Sequence, residues 1–341
     1  MQFLIRPVTM QDLEGVLNLA CMTGPGMTSL PADKALLTEK IQDSINSLAI
    51  TPTKVGNQSY RFVMEHSDDE GSRLVGICAI RDRIGGFEPF YSYSIQTARH
   101  QSAQLGVDIE VPYLELCKEH DGPSIISSLF LLPEFRKKRL GQYLSQARFL
   151  FMADFPERFT DTVIAEMRGV IDQEGKSPFW EGTVRNFFDM DFDSADYLSI
   201  KDKGFIADLM PKYPIYIPLL RDSVIKAIGQ VHEKTYPALK FLEEQGFKKD
   251  GHVDIFDAGP RISAQVTEIA SVKNSCLQKI LELRDQISSE ASVRVLLSNS
   301  KLDFRVVLAE AVIKDEGLII SVKSAEDLGL IEGDSIRYLK V

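Results

Sequence analysis

Cysteine is scarce and scattered in this sequence: Cys21, Cys78, Cys117 and Cys276 lie far apart and form no C-x-x-C pair. That usage excludes a zinc site or a disulfide framework, and it fits a reducing, cytoplasmic compartment. Long apolar runs are also missing. None reaches the roughly 18 residues of a membrane span, and Arg6 and Asp12 interrupt the N-terminus, so neither a membrane segment nor a signal peptide is expected. An excess of positive charge is absent too. With 39 Lys+Arg against 49 Asp+Glu the net charge is −10 and the pI about 5.2. A general nucleic-acid binder needs a basic face, so that class is excluded. An acidic surface suits a small cationic substrate. What is present is ordinary for a soluble globular protein: 341 residues, 44% hydrophobic and 26% charged. Such a chain can bury a substantial core and hold two or three domains.

The most informative stretch runs from Ser124 to Phe151, SIISSLFLLPEFRKKRLGQYLSQARFLF. Ile125 to Leu132 is an apolar run that reads as a buried strand, and Pro133 stops its ladder. A basic loop follows, Arg136, Lys137, Lys138 and Arg139. From Leu140 the apolar residues fall at helical spacing: Leu140, Leu144, Ala147 and Phe151. The first amides of that helix lack intrahelical partners, and with the helix dipole and the basic loop they form an anion site. Strand–Pro–x–x–Arg–x–x–Gly–x–Gly–helix resembles the pyrophosphate-binding signature of the GNAT acyltransferases, which bind acyl-coenzyme A. Pro133, Arg136 and Gly141 stand in place, whereas Arg139 occupies the first glycine position. A solvated charge run on a strand–turn–helix corner is the plainer alternative.

In chain order, Phe3–Val8 reads as a short strand, with Thr9 as helix N-cap and Asp12 in the first turn. Gly24-Pro25-Gly26 ends that helix, and a second helix spans about Ala32 to Leu48. Tyr60–Glu65 and Leu74–Arg81 flank a polar turn, a hairpin signal. Gly85-Gly86-Phe87 is another turn and Phe90–Gln96 a further strand, whereas Ala98–Asp121 reads as loop-rich. Thr162–Met167 is a buried strand. Ser177-Pro178 opens a helix whose Phe179, Trp180, Val184, Phe187 and Phe188 form an aromatic core stripe. Short helices are expected over Phe205–Met210, over Ser223–Ile228 and from Pro237 to a Gly246 cap, then a strand over Val253–Asp257. Val272–Ser288 reads as a helix. Val293–Leu297, Phe304–Ala311, Leu318–Val322 and Ser335–Val341 read as strands of a small, partly barrel-like β module.

The longer resemblance is to the bacterial arginine N-succinyltransferase family. It is carried by collinear blocks between residue 3 and about 260, among them IRPVTMQDLEGVLNLA, AEMRGVID, SPFWEG, FFDMDF, KGFIADLMPKYPIY, IGQVHEKTYPAL and GFKKDGHVDIFDAGP. It implies an α/β, GNAT-like acyl-CoA transferase fold with a small C-terminal β module. The repeated GNAT-like character of Trp180–Phe192 and Ala238–Phe247 leaves two GNAT-like halves open. The expected division is a GNAT-like acyl-CoA-binding domain over 1–195, a second GNAT-like segment over 196–265 and the C-terminal module over 266–341. The implied activity is transfer of a succinyl group from the co-substrate succinyl-CoA to the α-amino group of arginine, with no metal and no permanently bound cofactor. A homodimer is expected from the frequency of two-fold assemblies.

Residue roles follow from that resemblance. Leu129, in ISSLFLL, matches the family position that contacts acyl-CoA, and Arg136 and Gly141 match its phosphate loop. His232 ends GQVH, where the family has its catalytic proton donor; an imidazole exchanges a proton near neutral pH without a large pKa shift. His100 and His120 match further family histidines, in loops before the central strand, and would shape the substrate pocket. His66 and His252 have no match. Glu166 and Asp189 would meet a guanidinium and Arg168 a carboxylate, or the three form an internal ion-pair set.

Three departures shift the expectation: Ile125 replaces a family glutamate, Leu132 an aspartate and Arg139 a glycine. They leave open a GNAT-type N-acyltransferase with another donor or acceptor, such as ornithine, and a non-catalytic GNAT-like subunit paired with an active paralogue.

Overall fold

A computed structural model gives the structure of the chain; it describes every residue except 1, 24–26, 52–55, 70, 87, 138, 173, 202–203 and 288–291. The expected Gly24-Pro25-Gly26 helix stop, Phe87 of the second turn and Lys138 of the basic loop therefore lie outside the described residues.

The N-terminal unit forms as its signals predict. The strand Gln2–Pro7 leads through a 3-10 turn, Met10–Asp12, into the helix Leu13–Cys21. Asp12 accepts from the Thr9 backbone amide at 2.8 Å and takes both ends of the Arg6 fork at 2.8 and 2.9 Å, which fixes the entry to the helix. Asp33 caps the second helix, Lys34–Ala49, by accepting from the amides of Ala35 and Leu36.

Among the described residues fifteen strands follow one hydrogen-bonded order. In its centre Gln2–Pro7, Ser59–Asp68, Gly71–Arg81 and Ser124–Leu131 are antiparallel neighbours. Thr162–Glu166 follows, the one parallel step in this part of the sheet, and then Pro260–Gln265, Lys248–Val253 and the long hairpin Phe90–Ser102/Val107–Glu119. Gly71–Arg81 and Ser124–Leu131 pack against the helix Leu140–Asp154, whose Leu144, Ala147, Leu150 and Phe151 are wholly buried. Phe151 touches the rings of Tyr60, Phe62 and Phe304, so this helix is the pivot of the main core.

A second core gathers around Trp180, with Tyr93, Phe188, Ile206, Val224 and Phe256. A third fills the C-terminal module. There Val293–Ser298, Ser335–Lys340, Cys276–Arg284, Gly317–Ser321 and Val306–Lys314 pair in a ring that closes back on Val293–Ser298, a five-stranded barrel. Val306–Lys314 also pairs with Gln2–Pro7 and joins the barrel to the sheet.

Four expectations are corrected. Val272–Ser288 is not a helix: after the short turn of helix Ala270–Lys273 it becomes the strand Cys276–Arg284. Its Leu, Lys, Gln and Glu are good helix formers, but strand partners on both sides override that preference. Ala98–Asp121 is not loop-rich but the outer part of the hairpin, paired without a break from Phe90↔Glu119 to Ser102↔Val107. Both of its faces are largely exposed there, so no apolar alternation marks it. The strand expected over Val253–Asp257 ends at Val253, because the Asp254 carboxylate takes the amides of Phe256 and Asp257 and folds a turn. The helix opened by Ser177 stops at Gly182 and a separate short helix, Arg185–Phe188, follows. Phe179, Trp180, Val184 and Phe188 are buried, but Phe187 is 51% exposed and lies outside the core stripe.

Candidate active site

Ser124–Leu131 and Thr162–Glu166 run parallel yet pair only at Ser124↔Val163 and Ile125↔Ile164. Beyond that foot each strand keeps its outer partner, Gly71–Arg81 on one side and Pro260–Gln265 on the other, so a gap opens toward their C-terminal ends. Opposite Ile77–Ala79 the register slips, and Ser128 adopts a left-handed φ of 54°. Ser29 holds this bulge, accepting the Ser128 hydroxyl at its carbonyl (3.0 Å) and the Ser128 amide at its own hydroxyl (3.2 Å). A bulge re-aims the backbone that follows it. Leu129 comes next, its side chain half-buried against the main core.

The strand then enters the basic loop. Pro133–Phe135 forms a 3-10 turn, and Arg136 folds back so that its Nε donates to the Leu131 carbonyl at 2.9 Å while its guanidinium sits 5.5 Å from the Phe130 ring centre. Arg139 takes the left-handed conformation, φ 63°, at the N-cap of Leu140–Asp154, and its carbonyl receives the amides of Gln142 and Tyr143. Glycine would suit that backbone; an L residue there costs about 1–2 kcal/mol. Its side chain is exposed, as are those of Arg136 and Lys137. At Gly141 an added Cβ would meet only Leu131 Cδ2, at 3.9 Å. Packing within the protein does not demand glycine there, whereas a ligand approaching the backbone would.

His232 reaches the same region from the other side of the gap. Gly229, at φ 68°, lets the chain turn after the helix Asp222–Ala227, and its amide donates to Ala258. The His232 amide donates to the carbonyl of Arg168 at 2.9 Å. Arg168 lies just past the end of Thr162–Glu166, on the open side of the gap whose other strand carries Leu129. The His232 Nδ1 accepts the Lys234 amide at 3.1 Å, which leaves the proton of the neutral ring on Nε2. Desolvation, and then the positive charge of Arg168, hold the imidazole below its ordinary pKa. The ring is therefore a neutral Nε2–H donor, suited to a developing oxyanion or thiolate.

Asp257 supports this arrangement and was not among the residues expected from the sequence. Its carboxyl accepts the amides of Gly169 and Gly259, each at 2.7 Å, and so locks the backbone beyond Arg168. Burial, reinforced by the neighbouring Asp254, pushes its pKa well up. The signal was the D-x-x-D-A-G-P spacing, which is turn chemistry rather than strand alternation.

The other expected residues are placed elsewhere. His100 is not in a loop: it lies on the strand Phe90–Ser102, opposite Ile109 and 6.0 Å from the Tyr216 ring. His120 occupies the turn before Ser124, at the closed foot of the gap. Asp189 is exposed after Arg185–Phe188, and among the described residues no ion pair joins Arg168 to Glu166 or Asp189. Ile125 belongs to the hydrogen-bonded foot, and Leu132 is buried at the strand's end.

A family model described as the arginine N-succinyltransferase beta subunit matches residues 3–271, and one described as its C-terminal domain matches residues 279–340. The chain belongs to the arginine N-succinyltransferase family. It is 40% identical to the arginine N-succinyltransferase of Yersinia enterocolitica over 342 residues, 99% of this chain and 97% of that one. To the enzyme of Escherichia coli strain 55989 it is 40% identical over 339 residues, with the same coverage. The structure of arginine/ornithine succinyltransferase subunit AI from Pseudomonas aeruginosa superposes with a TM-score of 0.89 at 35% identity, covering 99% of this chain and 98% of that chain. Family membership makes the chain an acyltransferase, on an α/β fold with a strand-rich C-terminal region. Among the described residues no helix is long and apolar enough to cross a membrane.

Proposed function

We propose that this chain transfers the succinyl group of succinyl-CoA to the α-amino group of arginine. One observation carries the reading: the backbone amide of the GQVH histidine is hydrogen-bonded to Arg168, just past the end of one of the two parted parallel strands, the other of which carries Leu129. The acyl-CoA lies along the gap, its phosphates against the first turn of Leu140–Asp154 beside Arg136, Gly141 and the exposed Lys137 and Arg139. Leu129 contacts the pantetheine–acyl portion through its backbone. The neutral amine attacks the thioester carbonyl, a C–N bond forms, and the C–S bond breaks as the tetrahedral intermediate collapses. The amine gives up a proton to solvent, and CoA leaves as the thiolate, which takes a proton from solvent. His232 Nε2–H stabilises the developing negative charge, an interaction strongest in the transition state. His100 and His120 are not needed for this pathway.

The Pseudomonas relative is an arginine/ornithine succinyltransferase subunit, which supports ornithine as a second acceptor. Thiol release from succinyl-CoA and acetyl-CoA, each with a panel of amino acids, tests both readings. Arginine-dependent release with succinyl-CoA is expected. CoA binding without turnover of any pair would leave a non-catalytic subunit instead.

The three-part division at residues 195 and 265 is proposed as well; the closed barrel supports the second boundary, and limited proteolysis reads both. A cytoplasmic homodimer completes the proposal, with sedimentation as its check.

A further inference from the structure

We propose that the Arg168 guanidinium receives a substrate carboxylate at the mouth of the parted strands. This rests on the succinyl-transfer reading above, whose two substrates each carry one: the far end of the acyl group and the α-carboxylate of the acceptor.

The argument starts from how this protein treats its other sequestered arginines. Arg261 is bound by Glu119 at 2.6 Å and Asp250 at 2.7 Å, and Arg337 by Asp154 at 2.7 Å. Arg6 is held by Asp12 and Glu65. Arg158 donates to the carbonyls of Ser47 and Ile50 and to the Tyr60 hydroxyl, and Arg148 to the carbonyl and hydroxyl of Ser145. Arg168 breaks the pattern. Its Nε is buried without a partner, as are those of Arg83 and Arg158, but those two still engage their guanidinium ends, with Asp121 and with Ser47, Ile50 and Tyr60, whereas among the described residues the Arg168 guanidinium makes no hydrogen bond, ion pair or ring contact at all. A buried donor left unmatched destabilises the fold, so its retention asks for a ligand that completes it.

Its location says which ligand. The Arg168 carbonyl accepts the His232 amide, and the residue stands at the open end of the gap whose other strand carries Leu129, where on that reading the acyl carbon and the amine meet. The imidazole of His232 feels the Arg168 charge, which puts the cation beside the reacting centre. A guanidinium presents a planar fork that fits a carboxylate bidentately. The CoA phosphates are served by the separate loop before Leu140.

Calorimetric titration of the full chain tests this without turnover. Succinyl-CoA is compared with butyryl-CoA, arginine with agmatine, and free CoA serves as a control, for the wild type, Arg168→Gln and Arg168→Lys. The wild type should prefer the carboxylate-bearing member of one pair by at least about tenfold. Arg168→Gln should abolish that preference while the carboxylate-free member and free CoA bind as before, which also shows that the variant is folded. Arg168→Lys, which keeps the charge and loses the fork, should recover part of it. Loss within the CoA pair assigns the acyl carboxylate, and loss within the amine pair assigns the acceptor. A wild type without either preference, or an Arg168→Gln protein that keeps the wild-type preference, overturns the proposal. Failure of the succinyl-transfer reading is read separately, as absent thiol release by a wild type that still discriminates.

Discussion

The backbone N–H of His232 donates to the carbonyl of Arg168 at 2.9 Å, so the segment bearing the imidazole and the strand end bearing the guanidinium move as one piece. Two consequences follow for the ring. Its Nδ1 is occupied by the Lys234 amide, and it is partly desolvated beside a fixed positive charge. Protonation would have to break the first contact and oppose the second. An NMR titration of the His232 ring should therefore show a midpoint below about 6.5, the ordinary imidazole value. The linkage has a definite sign: the folded pKa is depressed, so this contribution to stability is present above the unfolded pKa and is lost as pH falls through the folded one. Arg168→Gln should move the midpoint up. A midpoint above the ordinary value would exclude a neutral donor.

Removing the imidazole tests its part in the reaction. His232→Ala should lower turnover by about 10²-fold or more. Because the ring lies across the gap from the loop proposed to bind the phosphates, affinity for CoA should stay nearly the same. Full turnover in that variant would take His232 out of the mechanism.

Gly141 separates packing from function. Nothing in the protein crowds an added methyl group there, and alanine is better than glycine inside a helix by about 0.5–1 kcal/mol. Gly141→Ala should raise the thermal midpoint of the free protein slightly. The same methyl group would face the incoming phosphates, so the Kd for CoA should rise about tenfold. A more stable protein with unchanged CoA affinity would move the anion site away from this helix mouth.

Much of this was legible in the chain, and for a physical reason. The strand–proline–loop–helix corner is local: its apolar run, Pro133 and the helical spacing after Leu140 lie within one short stretch. Even the glycine-to-arginine departure kept its geometry, since Arg139 adopts the left-handed backbone that glycine would take most easily. The hairpin beyond Gln96 was illegible because cross-strand hydrogen bonds, not burial, hold it. Cys276–Arg284 was illegible because its partners come from distant parts of the chain. The tie between His232 and Arg168 is a backbone bond that no side-chain pattern announces, and the unmatched guanidinium is defined only by what surrounds it.

The crowded contact behind Arg168 makes a different prediction. An added Cβ at Gly259 would lie far inside van der Waals distance of the Met167 carbonyl and against the backbone of Arg168 and Gly169. All of these are main-chain atoms, so no rotamer change relieves the clash. Gly259→Ala should lose about 1–3 kcal/mol in denaturant unfolding, the usual cost of overpacking. Because the displaced backbone carries His232, turnover should drop in the fraction that remains folded. A variant with full stability and turnover would show that this strand end is not rigid.

Besides the pairing of Val306–Lys314 with Gln2–Pro7, a buried ion pair ties the barrel to the main core. Arg337 Nε meets Asp154 Oδ1 at 2.7 Å, and the same guanidinium donates to Ser275 Oγ at 3.0 Å and to the Ala153 carbonyl at 3.2 Å. Asp154 ends the helix Leu140–Asp154 that opens at the proposed anion site. Burial raises the Asp154 pKa even though Arg337 pulls it down. Arg337→Ala would leave the carboxylate buried without its counter-charge, the Ser298 hydroxyl still donating to it at 3.4 Å, a loss of about 3–5 kcal/mol at neutral pH. Without the guanidinium the folded pKa rises further above the unfolded value. The penalty should therefore be small below the unfolded pKa of about 3.9 and grow as pH rises through the folded one. Urea midpoints of wild type and variant should consequently lie further apart at about pH 8 than at about pH 5. A gap independent of pH would mean that lost packing, not the stranded charge, dominates, and Asp154→Asn in the Arg337→Ala background would then restore nothing.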